Sequence, residues 1–534
     1  MVARLTLLLA FALVLPACTA EEPARTLDDR QLLIRASLDL RGVRPAEADY
    51  VRLEADPETA LSALLEEYLA DGRFGERMRE LYTPIVRTRI DQFPVDAEDY
   101  GLTDDAAFQA AVGDEVPRII GRIADEDLPF TEVVVGDWTM ANEILGQVWP
   151  MDYSGPGWEV ARYTDARPAA GILATNSLWW RYPSNGVNYN RGRANAISRI
   201  LLCNDYLSRE VAFPRDVDLT DQEFVDNALR TNPGCVNCHV SLDAMASYLF
   251  GFQYPANVEA DDASRYHPER ERDWQEATGI EPSYFGEPGY TLEDLGRQIA
   301  GDNRFVECAV QTVFEGLVAR DASLADRDEL TRHREAFLAG DLTLRALVRS
   351  ILTDSAWLGQ AGVERNAAVR KIATPDLLAS QIEALTGYRF TVDGRDMLKS
   401  DLTGLRSLAG GVDGYSGAAP SRVPTPSMVL VQERVAQAAA WHAATREASM
   451  SALDRTLFGA IDFTETPETN RDAMVGQIQS LHRTIFGTTV AADSPQVTEA
   501  LALWSDLYAI EHTQVDAWAG VLSVLLRDPD LIFY

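Results

Sequence analysis

The sequence predicts a mainly α protein, a multi-module helical scaffold whose loop-rich middle segment carries a Cys-x-x-Cys-His helix. Three observations predict it. Apolar residues recur at i, i+3, i+4 and i+7 in Leu61–Leu69, Val306–Val318, Leu344–Leu352 and Leu522–Leu526, which lays one apolar stripe along each helix. Three helical stretches end alike, in Leu69–Ala70–Asp71–Gly72–Arg73–Phe74, Leu352–Thr353–Asp354–Ser355–Ala356–Trp357 and Leu526–Arg527–Asp528–Pro529–Asp530–Leu531. In each, an Asp is placed to cap the next turn and a bulky apolar side chain follows. The stretch from Met151 to about Tyr290 differs: turn-forming runs such as Ser154–Gly155–Pro156–Gly157 and Tyr182–Pro183–Ser184–Asn185–Gly186 punctuate it.

In chain order, Arg4 precedes a predominantly apolar run, Leu5–Val14, closed by Leu15–Pro16–Ala17–Cys18. The run is too short to span a bilayer, and the pattern marks an export signal over residues 1–17. Its Leu-x-Ala-Cys ending resembles the lipobox of bacterial lipoproteins, which implies that Cys18 is lipidated and opens the mature chain. Thr19 in place of Asp favours the outer membrane by the same resemblance. Residues 18–25 form a polar tether. Helical modules are expected over 26–150, 291–365 and 366–534, with the loop-rich module at 151–290. Gly42, Gly316 and Gly487 stand in matching contexts before the three shared endings, so the helical part reads as a divergent repeated unit without a fixed period. Trp179–Trp180 and the cluster Tyr248, Phe250, Phe252 and Tyr254 are either core or the lining of a pocket.

Charge narrows the function. The chain of 534 residues holds 48 Lys+Arg against 82 Asp+Glu, a formal charge of −34, and its lysines are Lys371 and Lys399 alone. That excludes a nucleic-acid binder and a polybasic lipid-binding surface. Acidic pairs such as Glu66–Glu67 and Asp104–Asp105 read as solvated faces, and neither a nucleophile elbow nor His-Glu-x-x-His is present, so a hydrolase has little support.

The chemistry lies in Cys235–Val236–Asn237–Cys238–His239, the attachment signature of c-type haem. Two cysteines three apart on a helical turn reach two vinyl groups of one porphyrin edge, and the adjacent imidazole faces the iron. The pattern calls for one covalent haem c held by Cys235 and Cys238, with His239 as proximal ligand. A thioredoxin-like redox pair lacks its βαβ context, and a structural zinc lacks a second ligand pair; a plain Cys235–Cys238 disulfide stays open. Met245 follows on the same helix and cannot easily reach the opposite haem face. His267 and Met428 are the distal candidates; without either, the iron is open to ligands. Cys203 and Cys308 remain, both on apolar helical faces, as a disulfide or as two buried thiols.

Three stretches make the sequence resemble a known family: Arg191–Gly192–Arg193 with Leu201–Leu202–Cys203; Asn232–Pro233–Gly234–Cys235–Val236–Asn237–Cys238–His239 with Leu242–Asp243; and Asp302–Asn303–Arg304–Phe305 with Cys308 and Val318–Ala319–Arg320. They resemble the planctomycete-type surface cytochrome-domain proteins, large exported chains also found in myxobacteria. Leu38–Asp39–Leu40–Arg41–Gly42 with Phe74–Gly75–Glu76–Arg77, and Leu525–Leu526 through Phe533, look like further modules of that set. The resemblance implies haem without assigning a reaction. The chain departs from the family where Asp-Pro-Leu-Gly is usual, since Asp243 is followed here by Ala244–Met245–Ala246.

The reading expected from the sequence is an envelope lipoprotein, anchored by its lipid, that passes single electrons to an envelope redox partner and is a carrier rather than a catalyst. Two others stand beside it: a structural or binding lipoprotein with a Cys235–Cys238 disulfide, and a haem enzyme with an open iron site.

Overall fold

The computed structural model describes residues 27–210, 220–254, 259–359, 370–400, 404–412, 414–415 and 420–534. The export signal, Cys18 and the tether lie outside the described residues. Within them the chain forms 23 α-helices, and its strands make three two-stranded antiparallel pairs. The protein is mainly α. The four periodic stretches fall in the helices Ala60–Leu69, Asn303–Val318, Leu344–Ile351 and Gln514–Leu526.

The shared endings have one geometry. Asp71, Asp354 and Asp528 each accept a hydrogen bond from the backbone N–H two residues on, at 2.9, 2.6 and 2.8 Å. The bulky residue that follows, Phe74, Trp357 or Leu531, is fully buried. The turn is thus closed by a side-chain cap and held down by an apolar plug. The three glycines do not share a role. Gly42 and Gly487 end helices in the left-handed conformation, which a glycine adopts without strain. Gly316 lies inside the helix Asn303–Val318, where a Cβ would meet Leu81 at 2.7 Å, and it serves a close approach to the helix Phe74–Val86.

One apolar core runs from Leu27 to Leu377 across the expected boundaries at 150 and 290. A second spans Leu378 to Ile532, and a third, smaller one joins Ile90 and Phe108 to Trp149, Trp180 and Ala263. Trp179, Trp180, Tyr248, Phe250 and Phe252 are buried, and all but Phe250 belong to these cores. Glu66 and Glu67 are exposed and pair with Arg349 and Arg52.

Candidate functional site

The helix Pro233–Ala246 starts as its sequence dictates. Asn232 accepts the Gly234 N–H at 2.9 Å, and Pro233 occupies the first position, where no N–H is needed. Its two halves differ. Leu242 to Ala246 are buried, whereas Cys235, Val236, Cys238 and His239 are half-buried and Val240 is 67% exposed. The second half anchors the helix against Arg191–Leu202 and Ser283–Tyr284, and the first half presents the motif. Cys235 and Cys238 are both free thiols, and the guanidinium of Arg209 donates to Cys238 Sγ at 3.5 Å.

His239 is oriented from below. Its Nδ1 lies 2.9 Å from Asp243 Oδ1, one helical turn on. Asp243 is buried and receives Arg191 on both oxygens, at 2.8 and 3.0 Å. Burial alone would raise the Asp243 carboxyl, but the bonds from His239 and Arg191 outweigh it and hold the group below the ordinary aspartate value. A carboxylate only accepts, so Nδ1 donates, and in the neutral imidazole this tautomer leaves the lone pair on Nε2. Among the described residues nothing hydrogen-bonds Nε2. The sequence shows the Asp243 half of this clamp, an acid four residues after a histidine on one helix. Arg191, 52 positions away, carries no such local signal.

The surroundings of the motif are apolar and open. In the neighbouring helix Gln222–Thr231, Ala228 is buried while Phe224 is 39% exposed, and Leu207 in the turn Tyr206–Ser208 is 84% exposed. That turn is fixed from two sides. Cys203 and Cys308 form a disulfide with Cα atoms 5.2 Å apart, tying the end of Arg191–Leu202 to Asn303–Val318. Beyond it Asp205 caps the turn, and Tyr206 OH meets Ser241 Oγ at 2.7 Å, which brings Arg209 to Cys238.

The distal candidates are otherwise engaged. His267 is buried, with Nδ1 3.1 Å from Glu269 and Nε2 3.0 Å from the Asp262 carbonyl, so binding a metal would cost it a partner. Met428 is buried in the first turn of Pro426–Ala448, beside Gly410, and that helix packs with Pro375–Thr386 and Gln514–Leu526. Met245 is fully buried.

Two further clusters have chemistry that sequence reasoning did not single out. Glu329, His333 and Asp354 lie close enough together to surround a cation. However, Arg332 pairs with both carboxylates, and the ring nitrogens of His333 bond Ser350 Oγ at 2.8 Å and Asp354 at 3.0 Å. The cluster is a polar tie between helices. Glu115 is fully buried; it accepts from Thr139 and Tyr163 hydroxyls, both at 2.7 Å, and from Ser177 N–H at 3.1 Å, with no ion pair among the described residues. Burial raises it to about 7 against the pull of these donors.

Residues 17–105 match a family model described as PSCyt2, protein of unknown function (DUF1549). At that coarse level the match supports the planctomycete-type cytochrome-domain family. It covers the first helices and stops well before the Cys235–His239 motif. No curated protein and no solved structure matches the chain.

Proposed function

We propose that the protein is an envelope lipoprotein that carries one covalent c-type haem and passes single electrons. The observation that carries the reading is the first half of the helix Pro233–Ala246. Two unpaired thiols one turn apart and a histidine with a clamped Nδ1 and an unengaged Nε2 are presented together beside exposed apolar side chains. This donor set fits the group. Cys235 and Cys238 would hold it through thioethers and His239 through Nε2, with Phe224 and Val240 as the nearby apolar surface. When bound, the haem supplies a one-electron iron couple. Asp243 and Arg191 hold the imidazole in one orientation and one tautomer, the part that outer partners of metal-bound histidines play. Cys18 would anchor the chain by its lipid, outer membrane being the expected site, and the acidic surface suits a basic redox partner at low salt.

The test is expression with the native signal in a host that matures c-type cytochromes. A covalent haem band on a denaturing gel and a reduced-state c-type spectrum are expected. Loss of the band in Cys235→Ser with Cys238→Ser assigns the attachment; absence of covalent haem from the unaltered chain overturns the reading. Carbon monoxide binding to the reduced protein then separates an open iron from a six-coordinate one.

A further inference from the structure

A cavity of about 350 Å³ opens where the helices Asp29–Arg41, Phe74–Val86 and Asn303–Val318 meet the segments 319–321, 370–374 and 420–422. Its walls are of two kinds. Leu81, Pro84, Ile85, Leu317 and Val318 give an apolar side. The other side carries the cations Arg35, Arg77, Arg320, Arg370, Lys371 and Arg422. Among the described residues Asp39, Glu80, Glu315 and Asp321 oppose them on the wall, and Asp326 and Asp530 behind it pair with Arg320 and Arg370. In a chain with net charge −34, the wall itself gathers six cations beside four carboxylates among the described residues.

The charges are built in. Arg35, Asp39, Glu80 and Lys371 are each more than nine-tenths buried. Lys371 donates to both oxygens of Asp39 and to the Leu317 carbonyl at 2.9 Å, while Trp357 Nε1 and Tyr534 OH also donate to Asp39. Arg35 donates to the carbonyls of Trp357 and Tyr534. Such a hub explains how distant parts of the chain are tied together. It does not explain an open volume, because interiors are close-packed and voids beyond a few waters are rare. A volume of this size, part apolar and part charged with arginines prominent, has the form of a ligand site. Arginine forks match the two oxygens of a carboxylate. Burial also pulls Lys371 down to about 7, against the attraction of Asp39.

We propose that this cavity binds a small organic carboxylate, its head on the Arg/Lys wall and its apolar body against Leu81, Pro84 and Ile85. The proposal is independent of the haem reading, since none of these residues belongs to the Cys235–His239 motif.

The test titrates the full-length protein calorimetrically with three probes: octanoate, the neutral isostere octanamide, and inorganic phosphate, which lacks an apolar body. Octanoate should bind saturably, one per chain, and at least about tenfold more tightly than either of the others, the difference a charge-assisted bond makes. Arg422 is the mildest cation to alter, since its side chain is one-third exposed and pairs only with exposed Asp321 among the described residues. Arg422→Gln should weaken octanoate about tenfold, and Leu81→Phe should abolish binding by filling the apolar side. Thermal unfolding of each variant checks that the chain is folded. No saturable octanoate binding, octanamide binding equally well, or octanoate binding unaltered in both folded variants would overturn the proposal.

Discussion

Glu115→Gln should remove a pH dependence of stability that the folded chain now carries. The carboxyl is buried without an ion pair among the described residues, Arg167 acting on it only from a distance, and burial raises it to about 7, against 4.5 in the unfolded chain. Between those values the folded state keeps a proton that the unfolded state has lost. Stability from this group is therefore complete below pH 4.5 and is lost as pH rises through 7. A rise from 4.5 to about 7 corresponds to stabilisation on the order of 3 kcal/mol across that window. The comparison belongs below pH 7, because Lys371, lowered from 10.5 to about 7, acts in the opposite sense above it: its contribution is present above 10.5 and lost as pH falls. The assay is urea unfolding of both proteins at pH 5, 6 and 7, with an infrared carboxyl band as a direct reading of the proton. Relative to the unaltered chain, the Gln variant should gain stability steadily from pH 5 to 7, and the band that titrates near 7 should be missing from it. Parallel stability profiles for the two proteins would refute the reasoning, whatever the absolute cost of the substitution.

In protein that carries the proposed haem, Asp243→Asn should shift the oxidised-to-reduced ratio about tenfold toward the reduced state, about 59 mV for one electron, because it removes the negative charge behind His239. Arg191→Gln should move the midpoint the other way, since it leaves that charge uncompensated; spectroelectrochemical titration reads both, and shifts of the same sign would leave the clamp with only a structural part. Replacing both Cys203 and Cys308 by Ala should cost about 4.7 kcal/mol of stability in the chain-entropy account of a loop near 100 residues, read by denaturant unfolding against the unaltered protein under non-reducing conditions. Phe74→Ala, which empties a fully buried site, should destabilise the first helices by about 3–5 kcal/mol, read as a lowered unfolding midpoint.

What the sequence made legible acts over short range. The helix stripes, the capping Asp of each shared ending and the Cys235–His239 motif all depend on residues within a few positions, where backbone geometry fixes the neighbours. Gly316 shows the limit: its context matches Gly42 and Gly487, yet its role is set by Leu81, more than 200 residues away. The aromatic cluster was ambiguous for the same reason, since burial depends on what packs over Trp179 and Phe252 and not on their own spacing.

The least legible features are the buried charges. Asp39 meets Trp357, Lys371 and Tyr534 at separations of 318, 332 and 495 residues, and no local pattern foretells such a hub. One compositional fact does bear on it. A chain with two lysines places one of them in the interior, where its charge is opposed by burial and supported, among the described residues, by Asp39, the carbonyl of Leu317 and the ring of Tyr534. Arginine is no equivalent there, because it does not shed its proton. Lysine at 371 keeps a cation whose charge depends on its surroundings, and the cavity beside it offers those surroundings a variable content. Surface acids such as Glu66 and Glu67, by contrast, gain only the small stability of exposed pairs and set the solvent-facing charge. Such exposed acids contribute to the charge of −34, while Lys371 and Arg191 are drawn to the buried carboxylates Asp39 and Asp243.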